Sequence, residues 1–203
     1  MIFVTDLEGV LIPEIWMEIA KKAGIPELRL TTHEVEDFET LMAARVRALN
    51  DHGLKLSDLV RIAEDVMPYS GSIEFLSWLR RKGPVLILSD TFVELADGIV
   101  MRLGGYPLFA NGFDTDSAGR IVGYQLRIRG QKDRVVTALR DIGFTLIAVG
   151  DGFNDLTMLK TAHHSILYKP SPKLAARCVG RPVVTDYVEL KREIEKMIAK
   201  RES

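Results

Sequence analysis

Three apolar runs in this chain end in acids. Ile2-Phe3-Val4-Thr5 leads into Asp6 and Glu8, and Val85-Leu86-Ile87-Leu88 leads into Ser89 and Asp90. Leu146-Ile147-Ala148-Val149-Gly150 leads into Asp151, with Asp155 shortly after it. Continuous apolar runs of this kind read as buried parallel strands, and residues two apart on a strand face the same way, so Asp6 and Glu8 can look into one crevice. Open α/β sheets bind ligands beyond the carboxyl ends of their strands. A single Asp after a strand is an ordinary turn or cap residue, and the first segment taken alone reads equally well as an acidic turn. Three such segments at one sheet edge are harder to assign to turns. Carboxylates brought together repel unless a cation neutralises them. An oxygen-only set without His or Cys suits Mg²⁺. The expected ligands are Asp6, Asp151 and a backbone carbonyl at Glu8, with Asp155 steadying them.

The chain has no Gly-x-x-x-x-Gly-Lys-[Ser/Thr], so a P-loop for a nucleoside triphosphate is not expected. A carboxylate then becomes the expected nucleophile: an aspartate can accept a phosphoryl group directly, which splits one hard displacement into two easier ones. Asp6 fits that role and Glu8 that of the acid/base, protonating a departing alkoxide and then taking a proton from the attacking hydroxyl or water. Ser89 would hydrogen-bond a phosphoryl oxygen, and a lysine should neutralise the charge that develops there. Lys132 stands at the start of an expected helix, where the dipole disfavours a cation; a lysine simply held by solvent is the alternative reading.

These groups need a scaffold. After Val10 the pattern turns helical, with helices expected over 14–22, 37–50 and 57–67. Gly24, Pro26, His52-Gly53 and Pro68 are the stops. Three helices with no strand among them, set between two strands, suggest an insert with its own small bundle. A helix over 72–82, a strand over 85–89 and a helix over 93–103 follow. Around Asp116-Ser117-Ala118-Gly119 the stretch 111–128 reads as a β-hairpin. Asp114 and Asp116 faintly suggest a calcium loop, but Ala118 and Gln125 stand at ligand positions, so a turn is expected instead. Then come a helix over 131–142, a strand over 145–150, a helix opened by Asn154-Asp155, short strands at 165–167 and 183–184, and a closing helix over 187–200. The predicted fold class is α/β. It is a doubly wound, Rossmann-like parallel sheet with a helical cap inserted after the first strand and a β-hairpin insert. The expected division is a core of 1–13 and 69–203 with a cap of 14–68.

The formal net charge of −1 gives no reason to expect a nucleic-acid or membrane surface. Cys178 is the sole cysteine, which excludes a disulfide framework and a thiolate cluster; a buried structural thiol is expected. No apolar run reaches the length of a membrane span, and the chain starts directly in a strand, so a cytoplasmic setting is the expectation.

Asp6-Leu7-Glu8-Gly9-Val10, Ser89, Lys132 and Gly150-Asp151-Gly152-Phe153-Asn154-Asp155 resemble, in order and spacing, the four motifs of the haloacid dehalogenase superfamily. The whole chain, cap included, is similar to the phosphoserine phosphatases. Pro13-Glu14-Ile15-Trp16, Leu88-Ser89-Asp90-Thr91-Phe92 and Val122-Gly123-Tyr124-Gln125-Leu126-Arg127 resemble the bifunctional phosphoserine phosphatase/homoserine phosphotransferase branch. The resemblance implies a Mg²⁺-dependent enzyme with Asp6 as nucleophile, phosphoserine as substrate and homoserine as a second acceptor, and it is compatible with a homodimer. It further implies Glu14 for the substrate ammonium and Arg45 for its carboxylate, with Ser89, Asp90, Lys132 and Asn154 also among the substrate-binding residues.

The helical pattern bears on Arg45 independently, because Leu41, Met42, Ala48 and Leu49 share its arc while Arg47 points away. An arginine on an apolar stripe needs an anionic partner, unless it snorkels to the rim; a Glu after Pro13 is also an ordinary first-turn residue. Glu8 stands where most phosphatases of the superfamily have Asp. Asp90 replaces a glycine, to bind the substrate ammonium or to cap the next helix. Two further readings are a phosphatase of another small ester, against which Arg45 and Glu14 speak, and a non-catalytic binding module, which would need no nucleophile.

Overall fold

The computed structural model describes residues 1–30, 37–127 and 132–202. Seven strands form one sheet in the order β4-β3-β2-β1-β5-β6-β7. These are β1 (Ile2–Thr5), β2 (Val85–Phe92), β3 (Leu108–Thr115), β4 (Ile121–Gln125), β5 (Leu146–Gly150), β6 (His164–Tyr168) and β7 (Val183–Val184). All neighbours are parallel except β3 and β4. β1 lies at the centre, with Val4 opposite Leu86 of β2 on one side and Ala148 of β5 on the other.

The unbroken apolar character of the central strands follows from burial on both faces. Phe3, Ile87, Ile147 and Val149 enter one core with α4 (Ser72–Arg80), α5 (Val93–Arg102) and α9 (Tyr187–Glu202). Val4, Leu86, Leu88 and Ala148 enter a second core with α6 (Lys132–Asp141), α7 (Leu156–Thr161) and α8 (Pro172–Arg177). Helices on both faces make the sheet doubly wound, as expected. Cys178 is buried in the second core.

Between β1 and α4 the chain forms α1 (Ile15–Ala23), α2 (Phe38–Asp51) and α3 (Leu56–Glu64). Their apolar faces do not close on themselves alone. Trp16, Ile19, Met42, Leu49 and Leu59 belong to the same core as Phe3 and Phe92 of the sheet. Two polar ties reach the β3–β4 hairpin: Asn50 Nδ2 donates to the Ile121 carbonyl at 3.1 Å, and the Leu56 N–H donates to the Gly119 carbonyl at 3.0 Å.

Several boundaries differ from those expected. α3 stops at Glu64 rather than 67, because the Val66 N–H turns back to the Ala63 carbonyl and Met67, before Pro68, is disfavoured in helix. Pro26, read as a stop for the first helix, also opens a 3₁₀ turn at Pro26–Arg29, and Pro172 opens α8 in the same way. A proline lacks only an N–H that would be unbonded there anyway. β2 runs on past Ser89 to Phe92 with a register shift. The hairpin is present, but its first strand begins at Leu108 and joins the main sheet beside β2. Its turn is held by Asp116, whose Oδ1 accepts from the Ala118 and Arg120 N–H groups. Residue 128 of the expected hairpin and residue 131 of the expected helix lie outside the described residues.

Candidate active site

Asp6 leaves β1 with its N–H still bonded to the Val149 carbonyl of β5, at 3.0 Å. Its side chain therefore projects from the carboxyl edge at the sheet's centre. Immediately beyond, Gly9 adopts φ +74°, and a Cβ there would stand 2.0 Å from Asp151 Oδ2. Only glycine can both turn the chain at that angle and let the Asp151 carboxylate come so close. Gly150 is needed for a similar reason, since its Cβ would meet Asp155 Oδ2 at 2.4 Å.

Lys132, the first residue of α6 and only 5% exposed, joins the acids. Its Nζ lies 2.8 Å from Asp6 Oδ2, 2.7 Å from Asp155 Oδ1 and 3.6 Å from Asp90 Oδ2. Asp155 is fully buried, and its other oxygen accepts from the Asp151 and Gly152 N–H groups at 3.0 and 3.2 Å. Its lone pairs are thus committed to the loop and the lysine. Asp6 Oδ1 accepts from the Leu7 N–H at 2.7 Å.

One oxygen from each of Asp6, Asp151 and Asp155 falls within 4.8 Å of the others. Burial, and then the Asp155 charge, hold the Asp6 carboxyl well above the usual range in spite of Lys132. The same two causes push Asp151 up to about 7. Lys132 responds in the opposite sense: burial pulls it down, but Asp155, Asp6 and Asp90 outweigh that and leave it well above an ordinary lysine. Three carboxylates around a single ammonium leave an excess of negative charge that one divalent cation would cancel, and their donor set is all oxygen. The residues present therefore fit a hard divalent cation.

Ser89 is buried on β2, its Oγ accepting from the Thr91 N–H at 3.3 Å. With Asp90, Asn111 and Lys132 it lines a small cleft under α6. Asp90 does not cap α5, as one expectation had it: that helix begins after Phe92 with no side-chain cap, because β2 continues through Asp90. The Asp90 carboxylate instead accepts from Asn154 Nδ2 at 2.9 Å and faces Lys132, while its carbonyl accepts from Asn111 Nδ2 at 2.8 Å. Asn154, Asp90 and Asn111 thereby tie the turn after β5 to β2 and β3.

Glu8 bridges to the neighbouring helices. Its Oε1 accepts from the Ile15 N–H at 2.7 Å and so caps α1, for which the Glu14 side chain provides no cap. Burial and the nearby Glu14 charge push Glu8 up to about 8, opposed by the Ile15 N–H, Lys132 and Arg45. Arg45 lies on the buried stripe of α2 with Leu41, Met42, Ala48 and Leu49, whereas Arg47 is exposed. At 6% exposure Arg45 does not snorkel. Burial lowers it to about 10, and Glu8 and Glu14 act against that fall. Glu14, itself exposed, also raises Asp151 and Tyr69.

Seven of the ten residues singled out from the sequence thus meet at the carboxyl edge, and the other three act on one another or on that cluster electrostatically. Asp6, Asp90, Lys132, Asp151, Asn154 and Asp155 form one bonded cluster with Ser89 at its edge, and Glu8, Glu14 and Arg45 lie on or against α1 and α2. Sequence reasoning missed Asn111, Trp16 and Tyr69. Only Trp16, inside the quoted Pro13-Glu14-Ile15-Trp16 string, carried a signal.

The profile of the haloacid dehalogenase-like hydrolases matches residues 1–163. The chain is 41% identical over 191 residues to the phosphoserine phosphatase ThrH of Pseudomonas aeruginosa, covering 94% of this chain and 93% of that protein. It is also 41% identical to a phosphoserine phosphatase of Pseudomonas syringae pv. tomato, covering 94% and 81%. A solved phospho-aspartyl intermediate analogue of phosphoserine phosphatase superposes with a TM-score of 0.77 at 23% identity, over 95% of this chain and 97% of that one. That likeness concerns the fold. The matched profile spans the acids of β1, the serine of β2, the lysine of α6 and the acids after β5, and the chain belongs to the haloacid dehalogenase-like hydrolases.

Proposed function

We propose that this chain is a phosphoserine phosphatase that works through an aspartyl-phosphate at Asp6 and passes the phosphoryl group to water or to homoserine. The observation that carries the reading is the buried Lys132 ammonium held against Asp6 Oδ2 at 2.8 Å, beside a second and third carboxylate. A purely structural ion pair has no use for three crowded acids. The names of the two Pseudomonas relatives support the substrate. Residues 14–68 act as a cap over the site on this reading. The single buried thiol suits a reducing cytoplasm.

In the first half-reaction an Asp6 oxygen attacks phosphorus, the ester P–O bond breaks, and Glu8 gives its proton to the departing serine oxygen. In the second, the Glu8 carboxylate takes a proton from water or the homoserine hydroxyl. That oxygen attacks phosphorus, and the bond to Asp6 breaks, restoring the carboxylate. Lys132 and Ser89 face the phosphoryl oxygens, where a fixed cation and a donor stabilise developing charge without reorganising. Asp155 keeps Lys132 and the loop after β5 in place. Mg²⁺ would be held by Asp6, Asp151 and the Glu8 carbonyl, and supplies electrostatic stabilisation of the transferring group when bound. At the cap side Arg45 takes the substrate carboxylate, and Glu14, with Asp90 as a second acid, takes the ammonium. A zwitterion needs one group of each sign, which disfavours a sugar or nucleotide ester.

Phosphate release from L-phosphoserine is expected to depend on added Mg²⁺, to stop with EDTA, and to fall at least about a thousandfold in Asp6→Asn; full activity under either condition contradicts the mechanism. Adding homoserine to the same assay should divert phosphate into phosphohomoserine, and its absence removes the transfer branch. Glu8→Gln should lower kcat by about a hundredfold or more with little change in KM, so a loss of affinity alone would speak against a proton shuttle. For Arg45→Ala the expected result is a KM for phosphoserine raised by about a hundredfold, with p-nitrophenyl phosphate nearly unaffected. Equal losses on both esters would mean that Arg45 supports the fold or the phosphate.

A further inference from the structure

Arg45 is buried with few strong partners. One guanidinium nitrogen, NH2, donates to the Leu30 carbonyl at 2.7 Å, and among the described residues NH1 reaches the Met42 Sδ at 3.8 Å. A thioether is a weak acceptor. The Nε is buried with no hydrogen-bond partner among the described residues. The guanidinium lies on an indole, its Cζ 4.3 Å from the centroid of the Trp16 ring. Trp16 is itself 5% exposed. A cation over an aromatic face is drawn by the ring quadrupole, and the attraction strengthens when both partners are out of water.

The plane of that indole is braced by two further rings. Trp16 meets Phe92 and Phe113 edge to face, both with centroids 6.4 Å away and at 86° and 83°. Phe92 and Phe113 stack on each other at 3.7 Å and 9°. Phe92 closes β2 and Phe113 lies in β3, so a residue of α1 is squared against the sheet and an arginine of α2 is laid upon it. Glu8 and Glu14 both act electrostatically on Arg45, opposing the fall that burial causes.

We infer that Trp16 is a positioning residue for the carboxylate end of the substrate: its indole, braced by Phe92 and Phe113, holds the Arg45 guanidinium over its face and leaves the unsatisfied Nε for an anionic group. The ligand class is a phosphate monoester that also carries a carboxylate beside the ester-bearing carbon chain. The inference rests on Arg45 acting as the carboxylate anchor.

The test compares L-phosphoserine with O-phosphoethanolamine, which keeps the ammonium and lacks the carboxyl, in Trp16→Leu, Trp16→Phe, Arg45→Ala and the double variants. Trp16→Leu should lower the preference for phosphoserine, as a ratio of kcat/KM values, by about tenfold, with the loss in the KM for phosphoserine. Trp16→Phe, which keeps an aromatic face, should recover most of that ratio, yet remain about two- to threefold below the parent. Neither change should lower the ratio further when Arg45 is already Ala. A Trp16→Leu loss shared equally by both esters, or one that persists undiminished in the Arg45→Ala background, overturns the inference. If Trp16→Leu does not fold, the Trp16→Phe pair decides: an unchanged ratio overturns it. Should Arg45→Ala lose the preference while the Trp16 variants retain it, the inference alone fails. Retention of the preference in Arg45→Ala itself sinks the anchor reading together with it.

Discussion

The arrangement depends on one buried cation. Lys132 occupies the first position of α6, where the helix dipole works against it by about 0.3–1 kcal/mol. A charge-assisted hydrogen bond of about 1.5–3 kcal/mol outweighs that dipole cost; Lys132 Nζ makes one to Asp155 at 2.7 Å and an ion pair with Asp6 at 2.8 Å. The exchange is not one-sided. Burying three carboxylates against one ammonium leaves Asp6 and Asp151 with raised proton affinity, so the site carries a standing demand for more positive charge. A buried ion cluster of this kind is poor stabilising material compared with an apolar core. On the proposed reading, its placement at the sheet's central carboxyl edge suits a divalent cation and a phosphoryl group.

The scaffold serves that edge through contacts of short range. β1 delivers Asp6 between β2 and β5, and Gly9 and Gly150 remove the atoms that would keep Asp151 and Asp155 apart from their neighbours. Glu8 then reaches outward to cap α1, so the same short loop carries the expected nucleophile, the expected acid/base and the attachment of the helical segment. The extra methylene of Glu over Asp moves the carboxyl by about 1.5 Å, which lengthens its reach toward the Ile15 N–H. On the proposed reading, substrate recognition and proton transfer thus share one lever. The aromatic group Trp16, Phe92 and Phe113 braces it from the sheet side.

Much of this was legible in the chain. The acids at strand ends, the burial of Arg45 against the exposure of Arg47, and the parallel core followed from periodicity and from the two faces of a buried strand. The resemblance to a family supplied Lys132, which the dipole argument alone left undecided against a solvated lysine. What stayed hidden was set by tertiary contact. Asp90 looked like a helix cap because β2 was expected to stop at Ser89; sheet pairing beyond that point carried the strand on and turned Asp90 toward Asn154 and Lys132. Asn111 gave no sign, since its partner is a carbonyl one strand away. Pro26 was punctuation in sequence and is a first-turn residue in space.

The central claim is that a phosphoryl group passes through the Asp6 carboxylate. Rapid acid quench of a single turnover with phosphoserine, followed by proteolysis and mass spectrometry, reads it directly. The account predicts a transient acid-stable phosphoryl adduct on the peptide bearing Asp6, decaying at the rate at which free phosphate appears. An adduct on another residue, or phosphate appearing with no adduct formed at any time point, would contradict it.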